Sequence, residues 1–300
     1  MTQPLNQGNK LEVYKPAQTI QTKDKLSRTA LIVVLLFIRK HFNNPTAEKI
    51  TLSLTDVYEA LGYADKDNYR YIKHILRELT SSLIEWSAFD EKGKNEDWGV
   101  CAWCAEARLR DGMITYAFAP TLRTILSKSD KLWHATLSLP IMATLRSKYA
   151  VRLYEECKLY FFEHRQQGET PDRSLEAWRE YFGVNDVTSY TSMSELNRNV
   201  IAPAIAEIND KTDLQISVVF RKVGRKIVGM KFVLKRNPKF NVKPFAYNPQ
   251  PEAHDRVVSA KMPQVLKDRI RRNRAERAAE INAQAPLKTL PDLLGRWRSN

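Results

Sequence analysis

Between residues 174 and 236 the order of local structure is written almost residue by residue. Ser174 precedes the apolar-periodic stretch Leu175-Glu176-Ala177-Trp178-Arg179-Glu180-Tyr181-Phe182, a helix that the serine can cap. Gly183 ends it, because glycine adopts left-handed backbone without steric cost. A second amphipathic stretch starts near Thr191, with Met193, Leu196, Val200, Ile201, Ala204, Ile205 and Ile208 at helical spacing. Pro203 falls inside it and predicts a kink or a break. Residues 214–220 and 227–234 then alternate as two strands around the basic tip Arg221-Lys222-Val223-Gly224-Arg225-Lys226. Helix, turn, helix, hairpin is the plan of a winged helix.

A looser copy lies upstream. Residues 25–42 predict a helix stopped by Asn43-Asn44-Pro45, and Thr51-Leu52-Ser53-Leu54 a short strand. Residues 56–61 follow as a helix with Asp56 as cap, Glu59 completing a capping box and Gly62 past the end. Residues 67–83 place Ile72, Ile75, Leu76, Leu79 and Leu83 on one helical side, with Arg70, His74, Arg77 and Ser81 opposite and Lys73 at the edge. Residues 98–110 and 113–118 read as strands joined through Asp111-Gly112, and residues 120–126 as a closing helix. A long helix over 141–163 begins the second module. Two short helices ending in glycine and two glycine-bearing hairpins argue for an internal duplication.

The expected fold class is α+β, with two tandem winged-helix domains and a basic, partly disordered tail. The boundaries read as a flexible N-terminal arm over 1–22, a first winged helix over 23–135, a second over 136–236, and a Pro-containing tail over 237–300. Each module is large enough for its own core. From residue 235 onward the chain carries 15 Lys and Arg against 6 Asp and Glu, so well over half of the net charge of +14 lies in residues 235–300.

That charge and a pI near 9.6 favour a polyanionic partner, nucleic acid or an acidic membrane surface. The longest apolar run, Ala30-Leu31-Ile32-Val33-Val34-Leu35-Leu36-Phe37-Ile38, is far short of the ~20 residues that span a bilayer, so it reads as a buried helix. No export signal is visible in Met1-Thr2-Gln3-Pro4-Leu5-Asn6, and the expected compartment is the cytosol, with no membrane partner.

In a winged helix the second helix enters the major groove while the hairpin touches the flanking backbone. In the second module this exposes Thr191, Ser192, Glu195, Arg198 and Asn199. Arg198 suits a fork to guanine O6 and N7, Asn199 a pair with adenine N6 and N7, and Ser192 a base edge or a phosphate. The plain alternative is a surface helix facing water. The hairpin tip argues against it, since Arg221, Lys222, Arg225 and Lys226 repel one another and contribute nothing to folding without a phosphate partner. In the first module the stripe Arg70, Lys73, His74 and Arg77 reads equally as a second DNA reader or as a solvated face.

In the tail, Lys267-Asp268-Arg269-Ile270-Arg271-Arg272-Asn273-Arg274-Ala275-Glu276-Arg277 reads as a basic helix, a disordered arm or a solubilising segment. Leu287, Leu290, Leu293, Leu294 and Trp297 have the spacing of a docking peptide.

Enzyme signals are thin. Residues 224–231 approach a phosphate-binding loop, but Met230 separates Gly229 from Lys231 and no Ser or Thr follows. The histidines His41, His74, His134, His164 and His254 are isolated from one another, and neither G-x-S-x-G nor H-E-x-x-H occurs. Cys101 and Cys104 form a lone C-x-x-C, better read as two strand cysteines than as a redox or zinc site, and Cys157 as a helix-core residue. The expectation is no catalytic centre, no cofactor and no metal.

The chain resembles the iteron-binding plasmid replication initiators, the Initiator Replication protein family with tandem winged helices. The likeness rests on Leu145-Arg146-Ser147-Lys148-Tyr149-Ala150-Val151-Arg152-Leu153-Tyr154-Glu155, on Ser189-Tyr190-Thr191-Ser192-Met193, on Ala206-Glu207-Ile208-Asn209-Asp210-Lys211-Thr212, and on Lys222-Val223-Gly224-Arg225-Lys226. It covers about residues 23–236 and leaves the tail outside. The resemblance implies monomers bound to directly repeated duplex sites at an origin, help in opening the duplex, and recruitment of host replication proteins. It also implies dimers, formed through the first module, that repress their own promoter. It further places the major-groove helix at Ser192 onward, adds Lys211 to the DNA-binding set, and gives the Arg146-Ser147-Lys148 corner a backbone-phosphate role through Arg146 and Lys148. A dimeric repressor without an initiation role is the alternative.

Overall fold

In the computed structural model, which describes residues 12–22, 24–62, 69–89, 96–127 and 134–240, the first described element is a strand. Glu12–Pro16 (β1) pairs antiparallel with His134–Ser138 (β7), Val13 opposite Leu137 and Lys15 opposite Ala135. The expected flexible arm over 1–22 is therefore ordered from Glu12 on. Val13, Ala17 and Ile20 sink into the core from this strand and from the one-turn helix Ala17–Ile20 (α1), an apolar pattern masked by the polar residues between them.

Ser27 caps Arg28–Asn43 (α2), its Oγ accepting from the Ala30 N–H at 3.3 Å. Every residue from Ala30 to Ile38 is buried, as a helix apolar all round must be. Against it pack the strand Ile50–Ser53 (β2) and the helices Leu54–Leu61 (α3) and Tyr69–Ser81 (α4). The cap of α3 is Ser53 instead of Asp56: the Ser53 Oγ accepts from the Asp56 N–H and the Asp56 carboxylate accepts from the Ser53 N–H, each at 3.1 Å. This reciprocal box moves the cap three residues, nearly one turn, earlier than the spacing of Asp56 and Glu59 suggested. The expected start of the next helix at Asp67 lies outside the described residues.

Leu83 does not extend the apolar stripe of α4. It opens Leu83–Phe89 (β3), which pairs with Glu96–Ala102 (β4) in a separate hairpin, and it is 61% exposed. The strand expected over 98–110 is likewise two strands. Trp103, fully buried, bends the chain between β4 and Cys104–Arg110 (β5), and its carbonyl accepts from the Ala119 N–H at 3.3 Å. From there β5 joins Met113–Phe118 (β6) and β2 in a three-stranded sheet ordered β2-β6-β5. Asp111 and Gly112 turn that hairpin with φ of 53° and 75°, the pair of positive values that a two-residue turn of this hand requires. Pro120–Ser127 (α5) closes the module.

The long helix expected over 141–163 is broken into Leu139–Thr144 (α6) and Lys148–Tyr160 (α7). In an unbroken helix the Ser147 N–H would bond the Ala143 carbonyl. Here the buried Arg28 guanidinium donates to the carbonyls of Ala143 and Leu145 at 2.6 Å each, while the Glu207 carboxylate accepts from the N–H groups of Arg146 at 2.7 Å and Ser147 at 3.1 Å. Both orphaned edges of the break are thereby satisfied by side chains from elsewhere in the chain.

The second module continues with Phe161–Phe162 (β8), Gln167–Glu169 (β9), Arg173–Ser174 (β10), Leu175–Tyr181 (α8), Met193–Leu196 (α9), Ala202–Lys211 (α10), Leu214–Val223 (β11) and Lys226–Arg236 (β12). β12 pairs along its length with β11 and also with β10 and β9, and β8 lies beyond β9. A Cβ on Gly168 would stand 1.9 Å from the Tyr160 carbonyl oxygen, so only glycine lets β9 pass there. Trp178 fastens α8 to the sheet, donating from its indole N–H to the Met230 carbonyl at 2.9 Å and meeting the Phe232 ring edge-on at 5.0 Å. Of the kink or break expected at Pro203, no break occurs: the helix runs on from Met193 to Lys211. One π turn, Asn197–Ile201, joins α9 to α10, with the Ala202 N–H reaching back to the Asn197 carbonyl, and this wider turn accommodates the missing proline donor.

One hydrophobic core runs through both modules. Charged groups are buried at their junction as well. Lys15 pairs with Glu155, Arg152 pairs with Asp24 and also donates to the Tyr181 carbonyl at 3.0 Å, and Arg173 pairs with Glu156. Burial pushes the Glu155 and Glu156 carboxyls above their usual range, opposed chiefly by Lys15 and by Arg173 respectively.

Candidate nucleic-acid interface

The reading helix begins at Ser192, whose Oγ accepts from the Glu195 N–H at 3.2 Å. Met193, Leu196, Val200 and Ile201 are buried beneath it, which leaves Thr191, Ser192, Arg198 and Asn199 on the exposed side as the periodicity predicts. Capping uses one lone pair of the Ser192 oxygen, which leaves its O–H and a second lone pair for a ligand. Glu195 is half-buried between the two amide and guanidinium forks. Its Oε2 accepts from the Arg198 Nη2 at 2.9 Å and from the Asn199 Nδ2 at 3.0 Å, and its carbonyl accepts from that same Nδ2 at 3.0 Å.

The hairpin of β11 and β12 turns at Gly224, where φ is 61°. Lys222, Arg225 and Lys226 are exposed on it, and among the described residues no carboxylate lies within ion-pairing distance of any of them. Arg221 differs. Its guanidinium pairs with Asp172, across Gly229, whose missing side chain leaves room for both groups. Near the same hairpin, Glu176 at the start of α8 is held below the usual carboxylate range by hydrogen bonds from its own N–H and from Ser174, with Lys226 and Arg179 adding to this.

Lys211 is not an open cation. It is half-buried, pairs with Glu207 at 2.6 Å and donates to the Thr144 carbonyl at 3.3 Å, which ties the end of α10 to the break before α7. Lys211, expected among the DNA contacts, is thus engaged within the protein, as Arg198 and Arg221 also are by their own carboxylates. In the neighbouring corner Arg146 is exposed, while the Lys148 ammonium sits 5.1 Å from the centre of the Tyr149 ring. At this corner Glu207 occupies the N–H groups of Arg146 and Ser147, so these two donors are not available to a phosphate.

In the first module Arg70, Lys73, His74 and Arg77 are all exposed on α4, over buried Tyr71, Ile72, Ile75, Leu76 and Leu79. Lys73 lies 4.6 Å from the centre of the Tyr69 ring, a weak restraint on an otherwise open ammonium. The hairpin tip of β5 and β6 carries Arg108 and Arg110, the latter 3.5 Å from Asp111.

Elsewhere the chemistry is quiet. Burial pushes the Cys104 thiol up to about 12 and raises Cys101 and Cys157 as well, so these are packing residues. Among the described residues no group of three His, Cys, Asp or Glu side chains could hold a metal ion, and no helix is long and apolar enough to cross a membrane. The proposed tail helix and docking peptide lie outside the described residues.

The acidic partners were what the sequence reading missed. Glu195 under Arg198 and Asn199, and Glu207 under Lys211, stand at helical spacings of three or four and were legible. Asp172 under Arg221 was not, being distant in sequence and brought there by the pairing of β10 with β12.

Comparison with known proteins agrees with this architecture. Residues 12–158 match the family model described as Initiator Replication protein, WH1, and residues 174–234 match Initiator Rep protein, WH2. The first model therefore includes α7, which the sequence reading gave to the second module. A crystal structure of the Pi initiator protein in complex with iteron DNA superposes with a TM-score of 0.58 at 17% identity, over 77% of this chain and 99% of that one. A crystal structure of domains 2 and 3 of RctB gives a TM-score of 0.44 at 10% identity, over 76% of this chain and 95% of that one. No curated protein matches. With two family models covering more than half of its length, each on a helix-turn-helix-hairpin unit, the chain belongs to the initiator Rep protein family and has a winged helix in each half.

Proposed function

We propose that this chain is a plasmid replication initiator that binds repeated duplex DNA sites at an origin. The observation that carries the reading is the trio Lys222, Arg225 and Lys226, exposed and without a carboxylate in ion-pairing distance among the described residues, in the same module as a helix whose open face is Ser192, Arg198 and Asn199. Unmatched cations on a hairpin suit phosphates, and the forked side chains suit base edges. The fold neighbour crystallised with iteron DNA supports the same reading.

In this mechanism each winged helix inserts its second helix into the major groove, α4 through Arg70, Lys73, His74 and Arg77, and α9 to α10 through Arg198 and Asn199. Two such readers one helical turn apart cover roughly 20 bp. Bending or unstacking a neighbouring A·T-rich stretch starts the opening, and host replication proteins join the opened origin. No covalent step is required, so the protein acts without a catalytic centre, in the cytosol. Self-association through the first module, with repression of its own promoter by the dimer, is supported by Leu83, Trp98 and Val100, which stand exposed on the β3–β4 hairpin.

The test is a footprint on DNA flanking the coding region together with deletion of the gene. Protection of direct repeats and loss of plasmid replication are expected. Protection of a single promoter palindrome, with replication unaffected, would make the chain a repressor, and metal-dependent nicking or synthesis by pure protein would make it an enzyme. Sedimentation of a Leu83→Ser/Val100→Ser variant checks the dimer, which is expected to shift toward monomer.

A further inference from the structure

We infer that Glu195 is a specificity-determining residue of the reading helix, one that withholds Arg198 and Asn199 from DNA of the wrong sequence. The inference rests on the DNA-binding reading above. A single carboxylate oxygen, Glu195 Oε2, is the acceptor for both forked side chains, at 2.9 and 3.0 Å. Asn199 is held twice, since the Glu195 carbonyl accepts from the same amide nitrogen. Arg198 is otherwise open, with 73% of its side chain exposed.

The carboxylate does not serve the helix start. That role falls to Ser192, which takes the Glu195 backbone N–H, so the Glu195 side chain is directed forward along the helix to residues three and four positions on. The π turn over Asn197–Ile201 begins where these forks leave the helix. Elsewhere on the second module the pattern differs: among the described residues no carboxylate lies within ion-pairing distance of Lys222, Arg225 or Lys226 at the wing tip, while Arg221 is matched by Asp172.

The arrangement has a physical consequence. An arginine on a groove-facing helix would reach the nearest phosphate of any duplex, and such contacts carry no sequence information. With Glu195 beside it, that contact requires leaving one charge unmatched next to the DNA anion, which is unfavourable on every sequence alike. Only a site that offers a substitute partner for the carboxylate repays the exchange. The exocyclic amine of cytosine is the base-edge donor a glutamate accepts from in the major groove, and the guanine paired with a cytosine offers the acceptors that Arg198 forks to. The wing thus supplies affinity for duplex DNA in general, and Glu195 removes from the reading helix the part of that affinity which would not discriminate.

The experiment compares wild-type protein with E195Q by fluorescence anisotropy, on a repeat-containing duplex and on a scrambled duplex of equal length and composition, over a range of salt. E195Q keeps the backbone N–H that Ser192 caps, and equal thermal unfolding checks that the helix is intact. The expected result is about tenfold tighter binding to the scrambled duplex, a smaller ratio between the two duplexes, and a salt dependence on scrambled DNA steeper by about one unit as Arg198 gains a phosphate. Exchange of single G·C pairs in the repeat should also lose its effect at one position in E195Q. An unchanged ratio, or equal weakening on both duplexes, overturns the role of Glu195 and leaves the origin-binding reading standing. Wild-type protein that fails to distinguish the repeats from scrambled DNA overturns both.

Discussion

The Lys15 ammonium sits 2.8 Å from both carboxylate oxygens of Glu155, a pair buried to 1% and 2% exposure between residues 140 positions apart in sequence. It joins β1 to α7. Removing one partner of such a pair leaves a buried charge without compensation, at a cost of about 3–5 kcal/mol, whereas replacing both by apolar groups is often neutral. Lys15→Met should therefore destabilise by that amount in urea unfolding, and Lys15→Met/Glu155→Leu should recover most of it. A double variant no more stable than the single would show that the pair does not act as a unit.

His41 predicts an acid-side loss of stability. Burial lowers it below its ordinary value of 6.5, with Arg123 adding to the effect, and among the described residues its Nε2 has no hydrogen-bond partner, the ring lying edge-to-face with Phe118. Because the unfolded chain takes up this proton at higher pH than the folded one, stability is full above about pH 6.5 and declines as pH falls. Thermal unfolding between pH 7.5 and roughly 5 should show the decline in wild type and a flatter profile in His41→Leu. Parallel profiles would assign the slope to other groups.

Gly168→Ala should be among the most damaging small substitutions. Its Cβ would overlap the Tyr160 carbonyl oxygen at 1.9 Å, a backbone atom at the end of α7 that cannot rotate away. Displacing β9 from β12 is expected to cost about 3 kcal/mol, read as a lowered melting temperature. Gly224→Asn is the contrasting case: nothing lies within 4 Å of that position, and asparagine tolerates its positive φ, so the change should be mild.

Arg198→Ala and Lys222→Ala separate reading from gripping. The first should cost ~1–3 kcal/mol on the specific repeat and relax preference at one base pair. The second, like Lys226→Ala, should weaken binding to every duplex and flatten the salt slope by about one unit. Lys211→Ala should leave that slope unchanged, since its charge is held by Glu207, and should lower thermal stability instead.

Elements set by local chemistry were legible from the chain alone. Gly62, Gly112, Gly183 and Gly224 all adopt positive φ, as expected of helix ends and hairpin turns, and Ser174 caps α8 through the Ala177 N–H. Readings failed where a distant residue decided the outcome. The break before α7 depends on Arg28 and Glu207, the strand β1 depends on β7, and the bend at Trp103 depends on the core that receives its ring. The exposed side chains Arg198 and Asn199 follow from periodicity, and the Lys211–Glu207 pair from its spacing of four, whereas the partner of Arg221 comes from a strand distant in sequence.

The pairing of β1 with β7 and of Lys15 with Glu155 has a consequence for synthesis. The residues of β1 cannot reach all of their final neighbours until α7 has left the ribosome, and at ~5–20 residues per second the 140-residue step from Lys15 to Glu155 takes roughly 7–30 s to translate. Throughout that interval the nascent chain must carry Ala30–Ile38, the most apolar stretch it has, without the helix that later covers the junction. A ribosome-bound chain stalled before α7 should accordingly be a substrate for holdase chaperones, and one stalled well beyond it should not.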